Sequence, residues 1–169
     1  MAVKSRSFGK RGKNDLRDFS VRATKLGDNI QKAVNLVVQD TAIAVAAHLA
    51  RSTPIDMGRA RSNWVVQLGF PVFLSRLPFS AYPSRWRPPY GPGGSFGEAR
   101  NTAGVTWSAT KAVKGRAPGQ PIYISNNVAY IAYLNRGHSG QAPAGFVDAA
   151  ILTATAQIRE TAQQRFDGI

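Results

Sequence analysis

Side chains that could carry out catalysis are few in this chain and widely spaced. There is no cysteine and there are two histidines, His48 and His138, so a thiol nucleophile is excluded and a structural zinc site lacks ligands. His138 and Ser139 with Asp148 have the residue types of a hydrolase triad, but no nucleophile-elbow sequence surrounds Ser139. Asp56 and Asp148 do not have paired-carboxylate spacing. We therefore expect no enzyme activity, no bound cofactor and no metal.

The glycine-rich stretch GPGGSFG at residues 91–97 is a second candidate for chemistry. It lacks the Lys-Ser/Thr pair that holds phosphate and Mg²⁺ in a P-loop, and it follows prolines where that motif requires a strand. Nucleotide binding is therefore not expected.

The chain carries a formal charge of +13, from 22 Lys plus Arg against 9 Asp plus Glu. A charge of this sign attracts polyanions such as nucleic acid or acidic protein surfaces. Residues 1–14 are predicted to form a basic, flexible arm, which either contacts the phosphates of DNA or docks on an acidic protein. A solvated tail without a partner is the simpler alternative. The basic residues of this arm are Lys4, Arg6, Lys10, Arg11 and Lys13.

Apolar residues at three- and four-residue steps predict an amphipathic helix of about 20 residues that begins near Asp28, where Gln31 completes a capping box. The same spacing before Gly27 predicts either a separate short helix or an N-terminal extension of this one. His48 lies on the apolar face and is interpreted as a core or interface residue. Because no apolar run approaches the roughly 20 residues that cross a bilayer, we expect no membrane contact and a protein made in a cytoplasm.

Alternating apolar residues predict three strands. The first runs from Trp64 to Phe70, the second covers residues 105–109 and the third covers residues 122–124. A last helix is predicted from about Phe146, with one apolar stripe and Asp148 in its first turn.

Residues 71–104, between the first two predicted strands, form a predicted loop rich in proline, glycine and aromatic residues. Proline lacks the backbone N–H and restricts φ, so this density disfavours a helix or a central strand. Aromatic residues are scarce in disordered segments, so we expect the loop to order against a partner. A protein interface is favoured over stacking on nucleic acid. The candidate contact residues of the loop are Arg76, Arg85, Trp86, Arg87, Tyr90 and Phe96.

Two separated segments carry a resemblance to a known family. TPIDMGRARSNW at residues 53–64 and IYISNNVAYIAYLNRGHSGQAPAGFV at residues 122–147 resemble the neck and tail-completion proteins of tailed bacteriophages, which include the lambda minor tail protein Z group. Met57 stands where the family more often has Thr, and the basic arm and the proline-rich loop fall outside the family pattern. The positions that match the motifs are Pro54, Asp56, Gly58, Trp64, Asn126, Asn127, Tyr130, Gly137, Gln141, Pro143 and Gly145.

The resemblance implies a structural virion protein at the head-to-tail junction. Such a protein would form a homo-oligomer, expected to be a hexameric ring around the DNA channel, and would help to join the tail to the head. Its partners would be other neck and tail proteins, with non-specific contact to packaged DNA, and it would be assembled in the host cytoplasm. Two alternatives stay open: a tail terminator that caps the tail tube, and a basic DNA-binding protein that acts outside virions.

The first motif also has a physical interpretation as a turn. Pro54 ends the preceding helix, Asp56 can accept hydrogen bonds from amides in the turn, and Gly58 supplies a backbone conformation that other residues disfavour. Arg59 and Arg61, two residues apart at the beginning of a predicted strand, would face one side, where a neighbouring subunit or DNA could bind.

Together these elements predict an α+β fold with a single domain over residues 15–169. The domain would contain a mainly antiparallel sheet of three or four strands, packed by a long N-terminal helix and a C-terminal helix. The proline-rich loop would be an insertion in this domain.

Overall fold

Helices account for most of the chain in the computed structural model, which describes residues 11–79 and 95–167, with side chains for residues 15–79 and 97–167. In chain order the elements are α1 (Arg11–Ser52), α2 (Arg59–Ser62), β1 (Val65–Leu68), α3 (Ser95–Val113), β2 (Ile122–Ser125), α4 (Ile131–Asn135) and α5 (Phe146–Asp167). The predicted last helix is confirmed, with Asp148 in its first turn.

The first helix is much longer than the sequence pattern predicted. α1 has 42 residues and continues through Gly27 without a break. The prediction of a helix start at Asp28 with a capping box is therefore wrong, and the alternative of an N-terminal extension is correct. One glycine costs a helix only about 1 kcal/mol relative to alanine, so apolar spacing that continues on both sides can outweigh it. Residues 11–14 of the predicted basic arm belong to this helix.

The core lies where the C-terminal half of α1 packs against α3 and α5. α5 runs antiparallel to α1: His48 Nε2 and Gln157 Oε1 lie 3.0 Å apart, and Arg165 Nη2 contacts Asp40 Oδ2 at 2.5 Å. Small side chains are common in this core, which allows the helices to approach closely. His48 thus lies where α1 contacts α5. The core residues are Ala42, Val45, Ala46, Leu49, Ala50, Trp64, Val66, Val105, Ala109, Val113, Ala150 and Ala154.

The sheet is smaller than predicted. Among the described residues it has two strands, β1 and β2, paired antiparallel with Val65 opposite Ser125 and Leu68 opposite Ile122. The predicted first and third strands are confirmed, although Phe70 is exposed and does not continue the buried face. The prediction of a three- to four-stranded sheet packed by helices is therefore wrong, and the fold is mostly helical.

The missing strand was predicted at residues 105–109, which lie in the middle of α3. Val105 and Ala109 are buried because they are four residues apart on one face of this helix, together with Asn101 and Val113. Trp107 lies between them and is exposed. Val105 and Ala109 are one helical turn apart, and Trp107 between them is also apolar. Over five residues this pattern cannot be told from the alternation of a strand.

The predicted loop over residues 71–104 also ends too late. Residues 71–79 have no regular secondary structure, but α3 begins at Ser95. No proline occurs in α3, and Glu98 in its first turn interacts favourably with the helix dipole. The last three residues of the glycine-rich stretch, 95–97, therefore belong to a helix.

One described helix, the part of α1 from Asp15 to Ser52, is long and apolar enough to span a membrane by length and composition. The sequence pattern had suggested no such run. The core residues of α1 lie in this same helix, and a core helix of a globular domain meets the same two criteria.

We predict that Gly104→Ala lowers the free energy of unfolding by about 1–3 kcal/mol, because overpacking a close contact forces neighbours to move. A Cβ added at Gly104 would overlap the ring of Phe79, which packs against the core. Gly27→Ala is the matched control, since nothing lies within 4 Å of a Cβ added there. That change should stabilise α1 by up to about 1 kcal/mol. Urea denaturation measures both, and a stabilising effect of both changes would contradict the Gly104–Phe79 contact.

Candidate functional site

The residues of the first motif connect the C-terminal end of α1 to β1. The last turn of an α-helix has carbonyl groups without partners inside the helix. Arg61 supplies donors to this end of α1: its Nη2 donates to the carbonyl oxygens of Thr53 at 2.9 Å and Arg51 at 3.2 Å, and its Nε donates to Thr53 at 3.2 Å. Arg61 is 7% exposed. Its side chain is therefore a cap of α1, formed from outside the helix.

Charge around Arg61 is consistent with this role. Burial lowers the pKa of Arg61 from its ordinary value, and the carboxylate of Glu98 opposes that shift. The two groups form an ion pair with Arg61 Nη1 and Glu98 Oε2 3.8 Å apart. A positive charge at a helix C-terminus also interacts favourably with the helix dipole.

Thr53 links the end of α1 to the first strand. Its Oγ1 donates to the carbonyl oxygen of Leu49 at 2.6 Å and accepts from Trp64 Nε1 at 2.8 Å. Both Thr53 and Trp64 are buried. The indole of Trp64 therefore packs in the core with its N–H satisfied.

Gly58 allows the chain to reverse between the C-terminal end of α1 and the beginning of β1. Its φ of 73° is in the left-handed region, which favours glycine, and it precedes the short helix α2. Arg59 and Arg61 lie in α2, so the prediction that they share one side of a strand is wrong. Two residues apart in a helix point in different directions: Arg59 is exposed, whereas Arg61 is buried.

The second motif segment meets the first at this connection. Gln141 Oε1 accepts from the backbone N–H of Ile55 at 2.9 Å, and Asn126 Nδ2 donates to the carbonyl oxygen of Ala60 at 2.8 Å. Asn126 Oδ1 also accepts from the N–H of Val128 at 3.2 Å, which fixes the predicted turn. Asp56 is exposed, and the turn amide of Ile55 is bonded by Gln141. Residues 53–64 and 122–147 thus form one joint, which we call the motif joint.

The other glycines and the proline of the second motif shape its loop. Gly137 and Gly145 have φ of 89° and 76°, and Pro143 is exposed. The N–H of Gly145 donates to the carbonyl oxygen of Asn135 at 2.7 Å. His138 stacks on Tyr133 with ring centroids 3.7 Å apart, and its Nδ1 lies 3.1 Å from the Tyr133 carbonyl oxygen.

Arg76, a candidate loop contact, is placed against the motif joint. Its Nε donates to the carbonyl oxygen of Ser62 and its Nη2 to that of Trp64, each at 3.0 Å. The Arg76 backbone is held as well, because its N–H donates to Asn63 Oδ1 at 2.6 Å and Asn63 Nδ2 donates to its carbonyl at 2.9 Å. Burial lowers the pKa of Arg76, and its guanidinium lies 4.9 Å from the centre of the Phe79 ring.

A cavity of about 240 Å³ opens on the motif joint. Tyr130 contributes to its wall; burial raises the pKa of this phenol, Arg59 lowers it and Asp56 raises it further. In the described part of the chain, no three His, Cys, Asp or Glu side chains form a group that could hold a metal ion. The wall offers both hydrogen-bonding groups and apolar surface. The lining residues are Pro54, Ile55, Asp56, Met57, Arg59, Ala60, Tyr130, Leu134, Ser139 and Gln141.

Several predicted contact residues lie outside this joint. Arg11 and Lys13 lie in α1 and Phe96 lies in α3. The candidates that fall outside the described residues are Lys4, Arg6, Lys10, Arg85, Trp86, Arg87 and Tyr90.

Sequence reasoning missed three polar residues that build the joint: Thr53, Ser62 and Asn63. Ser62 Oγ donates to Asn101 Oδ1 at 2.9 Å, and both residues are buried. All three residues belong to the first motif segment, so their positions in the sequence were already singled out. The contact of Ser62 with Asn101 spans 39 residues, and no local pattern predicts it.

The chain matches no protein-family model, no curated protein and no solved structure. The resemblance to phage neck and tail-completion proteins therefore stays a prediction from the two motif segments.

We predict that Arg61→Lys lowers the free energy of unfolding by about 1.5–3 kcal/mol, because a single ammonium cannot reproduce the forked donors of the guanidinium. Arg59→Lys is the control in the same short helix. Arg59 is exposed and donates only weakly to Ser75 Oγ, at 3.3 Å, so the change should be within about 0.5 kcal/mol. Equal losses in the two variants, measured by urea denaturation, would contradict the capping role of Arg61.

Proposed function

We propose that this chain is a structural virion protein of the head-to-tail junction of a tailed bacteriophage. It would act as a neck or tail-completion protein that forms a hexameric ring around the DNA channel and helps to join the tail to the head. Other neck and tail proteins are its proposed partners, and the host cytoplasm is the proposed place of assembly. The observation that carries this proposal is the motif joint.

The two segments that resemble the phage family are separated by more than fifty residues along the chain but are bonded to each other in the fold. Gln141 and Asn126 of the second segment bond the backbone of Ile55 and Ala60 in the first. Two segments of one family fold are expected to lie together, and these two do. The small sheet lends no support to the family fold, so the proposal depends on the joint and not on the sheet.

An exposed apolar segment beside the joint supports a role in assembly. Phe70, Phe73, Leu74 and Leu77 are 62%, 79%, 80% and 86% exposed. Contiguous exposed apolar residues on a folded protein commonly mark a protein–protein contact. We call residues 70–77 the apolar segment, and we propose that it contacts a neighbouring ring or subunit.

This segment is fixed to the joint at two points. Asn127 Nδ2 donates to the carbonyl oxygen of Val72, and the Asn63 side chain bonds both backbone groups of Arg76. A segment that is held in place before it binds loses less conformational entropy on binding. The four apolar side chains are therefore presented in a defined position.

The charge of +13 fits a protein that surrounds or contacts packaged DNA. Such contact would be non-specific, since phosphates carry the charge and not the sequence. Charge alone would equally suit a basic DNA-binding protein outside virions, and the motif joint favours the virion protein.

We predict that purified virions contain the chain in a small, fixed number of copies, about six for a hexameric ring. Quantitative mass spectrometry of the particles measures this number against the major capsid and tail-tube proteins. Absence from virions, or hundreds of copies in each particle, would contradict the neck assignment.

We predict that the double change Phe73→Ser and Leu74→Ser leaves the chain folded but blocks the joining of heads to tails, because it removes two apolar anchors of the proposed contact. Leu152→Ser is the control: Leu152 is 69% exposed on α5, away from the apolar segment. Electron microscopy of lysates should show separate heads and tails for the double variant and joined particles for the control. Normal joining by the double variant would rule out this segment as the contact.

A further inference from the structure

The N-terminal half of α1 extends away from the rest of the protein. Asn35 still contacts it, because Asn35 Nδ2 donates to the carbonyl oxygen of Arg116 at 3.2 Å. Every residue from 15 to 32, by contrast, is exposed. At 1.5 Å per residue, this part of α1 is about 27 Å long. A helix of this length is only marginally stable in water by itself, so a covering surface would stabilise it.

A regular apolar stripe follows this exposed half. Leu16, Phe19, Leu26 and Ile30 are 73%, 64%, 47% and 43% exposed. Together with Ala23 they are separated by three and four residues in alternation, which is the spacing of helices that pair in coiled coils. We call the five residues the α1 stripe: Leu16, Phe19, Ala23, Leu26 and Ile30.

We propose that the α1 stripe pairs with the α1 stripe of a second copy of this chain, with the two helices antiparallel. In this register Leu26 lies opposite the partner's Ala23, and Phe19 lies opposite the partner's Ile30. Large residues then meet smaller ones, as close packing requires. A parallel pair would instead set alanine against alanine at position 23 and phenylalanine against phenylalanine at position 19.

Charge favours the same orientation. Parallel packing sets every charged residue of the exposed half beside its own copy. The antiparallel register instead brings Asp18 near the partner's Lys32 and Arg22 near the partner's Asp28, against one like-charge contact of Arg17 with the partner's Lys32.

The large net charge is a second electrostatic reason for the antiparallel orientation. Each chain carries +13, so two copies repel each other when they lie side by side. An antiparallel pair keeps the remaining parts of the two chains at opposite ends of a helix about 27 Å long, well beyond the Debye length of about 8 Å at physiological salt.

A pair of this kind has two-fold symmetry and closes on itself. A hexamer built from such pairs needs a second contact, for which the apolar segment at residues 70–77 is available. The pair itself rests on the α1 stripe and not on the proposed virion function.

Sedimentation equilibrium of the full chain tests the pair. The unchanged protein should form a dimer, and Leu26→Lys should weaken it by at least about 100-fold, because both copies lose a buried leucine and gain a charge. Val21→Lys is the matched control, since Val21 is 62% exposed on the opposite face of the same helix and should leave the dimer unchanged. Neither residue is in the core, and thermal unfolding checks that both variants stay folded.

Disulfide formation tests the orientation, because the chain has no cysteine. A mixture of Phe19→Cys and Ile30→Cys chains should form a disulfide between the two variants, whereas Phe19→Cys alone should not, since its two sulfurs would lie more than ten residues apart along the pair.

A monomer at all concentrations would overturn the proposal, as would equal weakening by Leu26→Lys and Val21→Lys. A disulfide formed by Phe19→Cys alone would overturn the antiparallel orientation. None of these results depends on virion composition, so the pair and the neck assignment can fail separately.

Discussion

The fold depends on the hydrogen bonds that the last carbonyl groups of α1 accept. This end follows the core residues Leu49 and Ala50 directly, and its last carbonyl groups have no partners inside the helix. Arg61 supplies the missing donors to the carbonyls of Arg51 and Thr53. Because Arg61 follows the last residue of α1, Ser52, by nine residues, the chain has to turn back towards the helix, and Gly58 provides the backbone conformation for that reversal. The first motif is therefore primarily the cap of a long helix.

The same cap organises the surfaces that could bind partners. Carbonyl groups in the connection between α1 and β1 accept hydrogen bonds from Asn126 and Arg76. The second motif and the apolar segment are therefore both fixed to this connection. At the other end of α1, residues 15–32 are exposed. A helix of 42 residues thus separates two apolar surfaces, one held by the motif joint and one formed by the helix itself. This arrangement would suit the assembly role proposed above.

Helix α5, the two strands and the turn at Gly58 could be predicted from sequence, because each is specified by short-range spacing or by a single residue with a strong backbone preference. The beginning of α1 could not be predicted from a cap signal, since Asp28 and Gln31 resemble a capping box inside an uninterrupted helix. Residues 105–109 predict a strand although they lie in α3, because Val105 and Ala109 fit both the helical and the strand period over five residues. The motif residues were recognised, but the burial of Arg61 was not, because it depends on a tertiary contact with the end of another helix.

The central claim is that the backbone carbonyls of Arg51 and Thr53 at the C-terminal end of α1, and not the ion pair with Glu98, hold the guanidinium of Arg61. The ion pair is long, at 3.8 Å, and the Glu98 side chain is 45% exposed, so solvent screening should limit its contribution to less than about 1 kcal/mol. The free energy of unfolding of Glu98→Gln, alone and combined with Arg61→Lys, tests this directly. Carbonyl capping predicts a loss below about 1 kcal/mol for Glu98→Gln and nearly additive losses in the double variant. A loss for Glu98→Gln as large as that for Arg61→Lys, with no further loss in the double variant, would contradict it.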